Sequence, residues 1–188
     1  MLVAALPVRR AAFHQLLSGR AVPMEVVASA AGMSLKSVRR SAQDVVSVGM
    51  AEMDETTIIG MDGLTTRPTQ HTVVLDGVAL WTWCAYDIVG IAAALNTTAN
   101  GTTRCGTCGR HIEVVIREGM PETGPFVGWL PADSCSNVMA EFCPNALLFC
   151  SREHLERWRV ESGAGDGEAL DLPGLAERGR AEWGQVVS

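Results

Sequence analysis

A cysteine and an aspartate sit three residues apart in Trp83-Cys84-Ala85-Tyr86-Asp87, and a second thiol stands far downstream in Phe142-Cys143-Pro144-Asn145. At that spacing in a helix the two side chains share a face, with about 5–6 Å between their Cβ atoms. A soft sulfur ligand then lies beside a group able to carry a proton. A second thiolate from a distant segment would complete a two-sulfur clamp for a thiophilic metal, the class that thiolates select. Cys84 alone reads as a small buried hydrophobe. Asp87 changes the balance, because residues 86–95 are otherwise apolar or glycine and a carboxylate among them needs a partner or a purpose. Cys143 precedes Pro144, which lacks an N–H and forces a turn, so its thiol either faces a cavity floor or packs in a loop. Trp83, Tyr86 and Phe142 could wall an apolar pocket, although core packing would suit Tyr86 and Phe142 equally well.

Cys105 and Cys108 form Cys-Gly-Thr-Cys-Gly, the half-site spacing of a zinc knuckle, and stand as a possible secondary metal pair. The sequence holds no second CxxC, so further ligands would come from Cys135, Cys143 or Cys150 at irregular spacing. Redox chemistry of the thioredoxin kind wants the motif at a helix start after a strand. Here the motif precedes a strand. Cys135 and Cys150 read as structural, and His14, His71, His111 and His154 show no ligand spacing to one another. A four-cysteine site that recruited Cys143 would disable the two-thiol centre. The sequence therefore predicts no stoichiometric structural zinc.

The bulk properties bound the answer. A chain of 188 residues holds one domain or two small ones. Hydrophobic residues at 47% and charged residues at 19% describe an ordinary globular protein. A net charge of −6 argues against sequence-independent nucleic-acid binding. The apolar N-terminal residues come before Arg9 and Arg10, the reverse of a secretory signal, and the longest apolar run is too short for a bilayer. These features predict a cytoplasmic protein with no membrane partner, in which cysteines serve metals or catalysis more readily than disulfides.

The elements that must position these residues read as α+β. Residues 9–17, 24–31 and 35–48 have helical patterning, punctuated by Gly19, Pro23, Gly32 and the capping Ser34. Residues 50–53 and 56–59 flank Asp54-Glu55 as a hairpin-like wing. Residues 1–62 are thus expected to form a winged helix-turn-helix-like region. Its presumed third helix offers only Lys36, Arg39 and Arg40, so packing or dimerisation is expected ahead of DNA reading. Residues 63–188 are expected to form a small mixed α/β catalytic region with short strands. Within it the patterning gives a Gly- and Thr-rich linker at 60–67, a strand at 71–75, a turn at Asp76-Gly77 and a helix over 80–95. A polar stretch at 97–104 precedes strands at 111–117, 126–130 and 146–150. Ser151 caps a helix at 152–161, a mobile loop covers 162–171, and a last helix lies near 175–187.

Leu80-Trp81-Thr82-Trp83-Cys84-Ala85-Tyr86-Asp87, the Thr-rich stretch leading to Cys105, and Phe142-Cys143-Pro144-Asn145 together resemble the organomercurial lyase (alkylmercury lyase) family. Gly19-Arg20-Ala21-Val22 and Gly63-Leu64-Thr65 fit the winged-helix part of that family. The resemblance implies a cytoplasmic enzyme that cleaves the carbon–mercury bond of organomercurials by protonolysis, releasing a hydrocarbon and Hg(II). It implies mercuric reductase as the Hg(II) acceptor and no cofactor, Hg(II) being the bound product. By position, Cys84 and Cys143 would hold mercury, Asp87 would handle the proton, and Cys105 would match a family cysteine regarded as structural. Cys108 and Cys150 depart from the family pattern as extra thiols.

That chemistry has a use for each of the three groups. Thiolates are the metal ligands, and a free thiol titrates at about 8.5, so something must take its proton. Asp87 can accept it and return it to the leaving carbon as general acid. The second thiolate is needed because one alone would leave a stable linear thiolate–alkyl species. Two other functions draw on parts of the same sequence: a metal-responsive regulator, and a non-catalytic thiol metal-binding protein using Cys105 and Cys108. Asp87 separates the lyase from a carrier, which needs thiols but no proton donor.

Overall fold

The computed structural model describes residues 4–132 and 135–188, and the first three residues of the apolar N-terminus considered above lie outside them. Helix α1 (Leu6–Leu16) is followed by the short strand β1 (Val22–Pro23), then α2 (Met24–Ala31) and α3 (Leu35–Ser47). Ser34 begins α3 as expected, its side chain accepting the Ser37 N–H at 3.2 Å. The hairpin of β2 (Ala51–Asp54) and β3 (Thr57–Met61) comes next, and β1 pairs with β3.

The chain then departs from a simple linker. Residues 60–67 carry the end of β3 and a further buried strand, β4 (Leu64–Thr65), which pairs with β3 on one side and with a later strand on the other. Their small side chains suit close packing here and do not mark flexibility. Next come β5 (Thr72–Leu75) and β6 (Val78–Thr82), joined by Asp76 (φ 47°) and Gly77 (φ 85°). Two positive φ values in a two-residue loop match the twist of an antiparallel pair. That turn folds residues 78–82 back onto β5, so the helix expected over 80–95 is shorter: α4 (Ala85–Ala94), with Cys84 as its N-cap.

Strands β7 (Ala99–Arg104) and β8 (His111–Arg117) follow with a regular antiparallel register, then β9 (Met120–Pro121). The polar stretch at 97–104 is therefore a strand, alternating buried Ala99, Gly101 and Thr103 with outward neighbours. Strand β10 (Val127–Pro131) leads through a π-helical turn (Val138–Phe142) and a 3₁₀ turn (Cys143–Asn145) to β11 (Leu147–Phe149) and α5 (Arg152–Ser162). The expected mobile loop instead contains β12 (Gly167–Asp171), an edge strand that pairs with β10 along its length. Helix α6 (Leu172–Val187) ends the chain, capped by Asp171 accepting the Gly174 N–H at 2.9 Å.

Among the described residues the larger sheet runs β1-β3-β4-β6-β5-β7-β8-β9, with β2 on β3, and the smaller runs β11-β10-β12. The result is a mixed α/β fold whose larger sheet continues from the N-terminal hairpin into the later strands. Helix α4 is buried on nearly every side, which explains a composition that is apolar or glycine apart from Tyr86 and Asp87. It crosses α6 at Gly90 and Gly179, where a Cβ on Gly179 would overlap the Gly90 backbone. No helix of the described residues is long and apolar enough to cross a membrane.

Candidate active site

Three separate local structures deliver the groups singled out by spacing. Cys84 ends the turn after β6 and Asp87 occupies the third position of α4. The Cys84 N–H donates to the Asp87 carboxylate at 2.8 Å, one half of a capping box. The carboxylate is thus fixed by the same residue that carries the first thiol. Cys143 opens the 3₁₀ turn that Pro144 enforces, and this turn brings its sulfur to the N-terminus of α4. One carboxylate oxygen and the two sulfurs all lie within 4.8 Å of one another, and all three residues are buried. The spacing expectation had placed Cys84 inside a helix. The N-cap position keeps the shared face while freeing the thiol from the helix wall.

Burial sets the electrostatics. Loss of solvent pushes the Asp87 carboxyl up to about 7, against the lowering pull of the Cys84 backbone amide. The Cys84 thiol is driven well above its ordinary range, first by burial, then by its hydrogen bond with Cys143 and by the Asp87 charge. At neutral pH, Cys84 is protonated and Asp87 is divided between its two forms. A protonated thiol therefore sits beside a carboxyl able to take or give a proton near neutral pH.

A third element makes room for that carboxyl. Gly63, between β3 and β4, has φ +94°, and a Cβ there would stand 2.8 Å from Asp87 Cγ. Its carbonyl accepts the Trp83 N–H at 2.9 Å, which holds the two segments together. Nothing in the sequence pattern tied Gly63 to the site; only the meeting of the two segments reveals it.

Two cavities flank the trio. One of about 300 Å³ is lined by Glu52, Arg67, His71, Trp83 and Cys143 among others. The second, about 50 Å³ and mostly apolar, touches Gly63, Trp83, Asp87, Phe142 and Trp183. Trp83 faces both and is held by its indole N–H donating to Glu52 at 2.7 Å, while Arg67 stands 3.8 Å from the same carboxylate. Phe142 lines the smaller cavity. Tyr86 is packed behind it, against Phe142 and Trp183 with ring centroids 6.3 Å and 5.2 Å away, and its hydroxyl donates to Glu182 at 3.0 Å. Of the three expected wall residues, Trp83 and Phe142 face the cavities and Tyr86 supports them. Burial lowers His71 to about 4, so it borders the larger cavity as a neutral ring against Thr103.

The floor beneath the smaller cavity is tied down from α1 and α6. Arg9 holds Asp62 at 2.7 Å, and the Trp183 indole N–H donates to the Asp62 carbonyl at 2.8 Å. Arg9, Asp62 and Trp183 escaped the sequence reading because their relation is purely tertiary.

Cys105 and Cys108 lie elsewhere, in the turn between β7 and β8. The structure brings Cys150 and His154 to them, so completing a four-ligand group does not require Cys143. The expectation that zinc and the two-thiol centre compete for Cys143 is therefore corrected. The available signal was Cys150 and His154 one helical turn apart, a mixed-type spacing that a search for His–His pairs passes over.

The alkylmercury lyase family model matches residues 64–183. The chain is 32% identical over 149 residues to the alkylmercury lyase of Pseudomonas putida, covering 77% of this chain and 69% of that protein. It is 28% identical over 154 residues to the alkylmercury lyase of Staphylococcus epidermidis, covering 79% and 69%. Among solved structures, the mercury-bound form of MerB2 superposes with a TM-score of 0.88 at 25% identity, covering 98% of this chain and 91% of that one.

Proposed function

The chain belongs to the alkylmercury lyase family, and from that premise we propose that Cys84, Cys143 and Asp87 cleave the carbon–mercury bond of an organomercurial substrate. The observation that carries this assignment is the convergence of two buried sulfurs and one buried carboxyl within 4.8 Å. A metal carrier would need the sulfurs alone. The carboxyl raised to about 7 supports a proton-transfer role.

The proton balance assigns the steps. Cys143 borders the larger cavity and meets the organomercury cation first, its sulfur–proton bond giving way to a sulfur–mercury bond. That proton leaves to solvent. Cys84 then joins the metal, and its proton passes to the Asp87 carboxylate. Two sulfurs donating to mercury raise the electron density on the bound carbon. Asp87 returns the proton to that carbon, the carbon–mercury bond breaks, and a hydrocarbon departs. Mercury(II) remains on Cys84 and Cys143. Both electrons of the broken bond go to the new carbon–hydrogen bond, so no redox cofactor is required. Trp83 and Phe142 supply apolar walls for the organic group.

Release of mercury(II) then calls for thiol exchange, because only another pair of soft ligands displaces two thiolates. Mercuric reductase is the acceptor that fits this demand. The order helix, strand, two helices and hairpin over residues 6–61 supports treating residues 1–62 as a winged-helix-like packing region, with residues 63–188 carrying the lyase chemistry.

The test is incubation of purified protein with phenylmercury or methylmercury in excess small thiol, with benzene or methane measured as it forms. Asp87→Ala should retain mercury binding while cleavage falls about 10²–10⁴-fold. Cys143→Ser should lose turnover. Absence of hydrocarbon from the parent, or parental rates in Asp87→Ala, would overturn the assignment.

A further inference from the structure

Three cysteines and a histidine converge at a place the proposed reaction does not use. Cys105 and Cys108 lie in the turn between β7 and β8, while Cys150 and His154 flank the start of α5. Their ligand atoms all lie within 4.8 Å of one another. Cys108 Sγ stands 3.8 Å from Cys150 Sγ, and His154 Nδ1 stands 3.5 Å from Cys105 Sγ. One tetrahedral zinc ion, with Zn–S of about 2.3 Å and Zn–N of about 2.0–2.1 Å, holds its sulfurs about 3.8 Å apart and its sulfur and nitrogen about 3.5 Å apart. The remaining distance, 3.0 Å from Cys150 Sγ to His154 Nδ1, is shorter, and a small rotation of the ring opens it.

We propose that Cys105, Cys108, Cys150 and His154 bind one structural zinc ion, separate from the mercury-handling pair. Three sulfurs and one nitrogen form a closed protein ligand set with no position left for a substrate, which is the structural and not the catalytic arrangement. Tetrahedral sulfur and imidazole ligation selects zinc over the hard divalent cations.

The surroundings are organised for it. Backbone amides of Thr107, Cys108 and Cys150 are directed at Cys105 Sγ, as in a metal knuckle. The Thr107 hydroxyl donates to the His154 carbonyl at 2.7 Å, and the Gly106 N–H donates to the Leu148 carbonyl at 3.0 Å. Such outer contacts fix ligands in place before the ion arrives. His154 also sits in the first turn of α5, where Ser151 caps its N–H. The ion would therefore staple the β7–β8 turn to the β11–α5 junction, and β11 directly follows the turn that holds Cys143.

The experiment uses the full chain carrying Cys84→Ser and Cys143→Ser, so that zinc cannot be credited to the other thiol pair. After exposure to zinc and dialysis, elemental analysis should find about one zinc per chain. Adding Cys108→Ser, at the most exposed of the four ligands, should lower that content at least tenfold. Cobalt(II) in place of zinc should give the intense visible bands of tetrahedral thiolate ligation, and X-ray absorption should report three sulfurs and one nitrogen. The cobalt spectrum of the Cys108-intact protein decides the matter even if the added substitution prevents folding. Folded protein that takes up neither ion stoichiometrically would overturn the site, as would a Cys108–Cys150 disulfide in protein prepared under reducing conditions.

Discussion

Gly63→Ala perturbs the proposed proton carrier without replacing any reacting group. At φ +94° an L side chain is strained, at a cost of about 1–2 kcal/mol. The new methyl would also stand 2.8 Å from Asp87 Cγ and 2.9 Å from its Oδ1. Carbon atoms rest at about 3.5–4.0 Å, so the carboxyl must retreat by roughly 0.7–1.2 Å. It cannot do so while keeping its 2.8 Å bond from the Cys84 N–H, and overpacking of this kind costs a further 1–3 kcal/mol or so. With about 2–4 °C of melting temperature per kcal/mol at this chain length, the variant should melt roughly 4–20 °C below the parent. A misplacement near 1 Å at a catalytic group costs up to about 10²-fold in rate. Hydrocarbon release below the melting range should therefore fall about 10–10²-fold, while stoichiometric mercury binding by the two sulfurs persists. A folded Gly63→Ala protein that cleaves at the parental rate would refute the claim that this glycine sets the position of Asp87.

Asp87 also leaves a signature in stability. Its folded pKa of about 7 lies above its ordinary value of 3.8, so the folded chain holds this proton more tightly than the unfolded chain does. Its contribution to stability is thus largest below about pH 4, declines as pH rises towards 7 and levels off above that. Asp87→Asn should remove the decline, gaining roughly 2–4 kcal/mol relative to the parent between pH 4 and pH 8 in urea titrations; parallel pH profiles would contradict it. Trp183→Phe keeps an aromatic ring tilted against Tyr86 but removes the donor to the buried Asp62 carbonyl, so thermal melts should show a loss of about 1–3 kcal/mol. An unchanged melt would mean that this bond does not secure the loop.

How far the sequence carried depends on whether a signal was local. Ser34 and Ser151 announce helices α3 and α5 through their own side chains, and both cap as expected. Cys84 and Asp87 are close enough in sequence for their spacing to survive a wrong element boundary. The helix expected from residue 80 failed because apolar residues such as Leu80 and Trp81 fit a buried strand as readily as a helix, and the Asp76-Gly77 turn decides between them. Residues 167–171 looked like a loop because their strand character comes from pairing with β10 and not from their own composition. Residues 60–67 looked like a linker because glycine and threonine mark flexibility and close packing alike. Gly63, Trp183 and the Arg9–Asp62 pair were illegible for the same reason: each acts on a partner distant in sequence. Cys150 and His154 lie between these cases, one turn apart but meaningful only beside Cys105 and Cys108.

Helix α6 carries a consequence for the order of events during synthesis. It packs its Gly179 onto Gly90, places Trp183 beside the Asp87 cavity, and has its Gln185 carbonyl bound by the Arg10 guanidinium at 2.7 Å. Every one of these partners leaves the ribosome long before α6 does. While the nascent chain waits, α4 has an uncovered apolar face at Gly90, and the cavity beside Asp87 lacks its Trp183 wall. Contacts spanning nearly the whole chain also make the closing step a slow one. The wall beside the Asp87 carboxyl is thus completed only when α6 docks, because Trp183 lines the small cavity there.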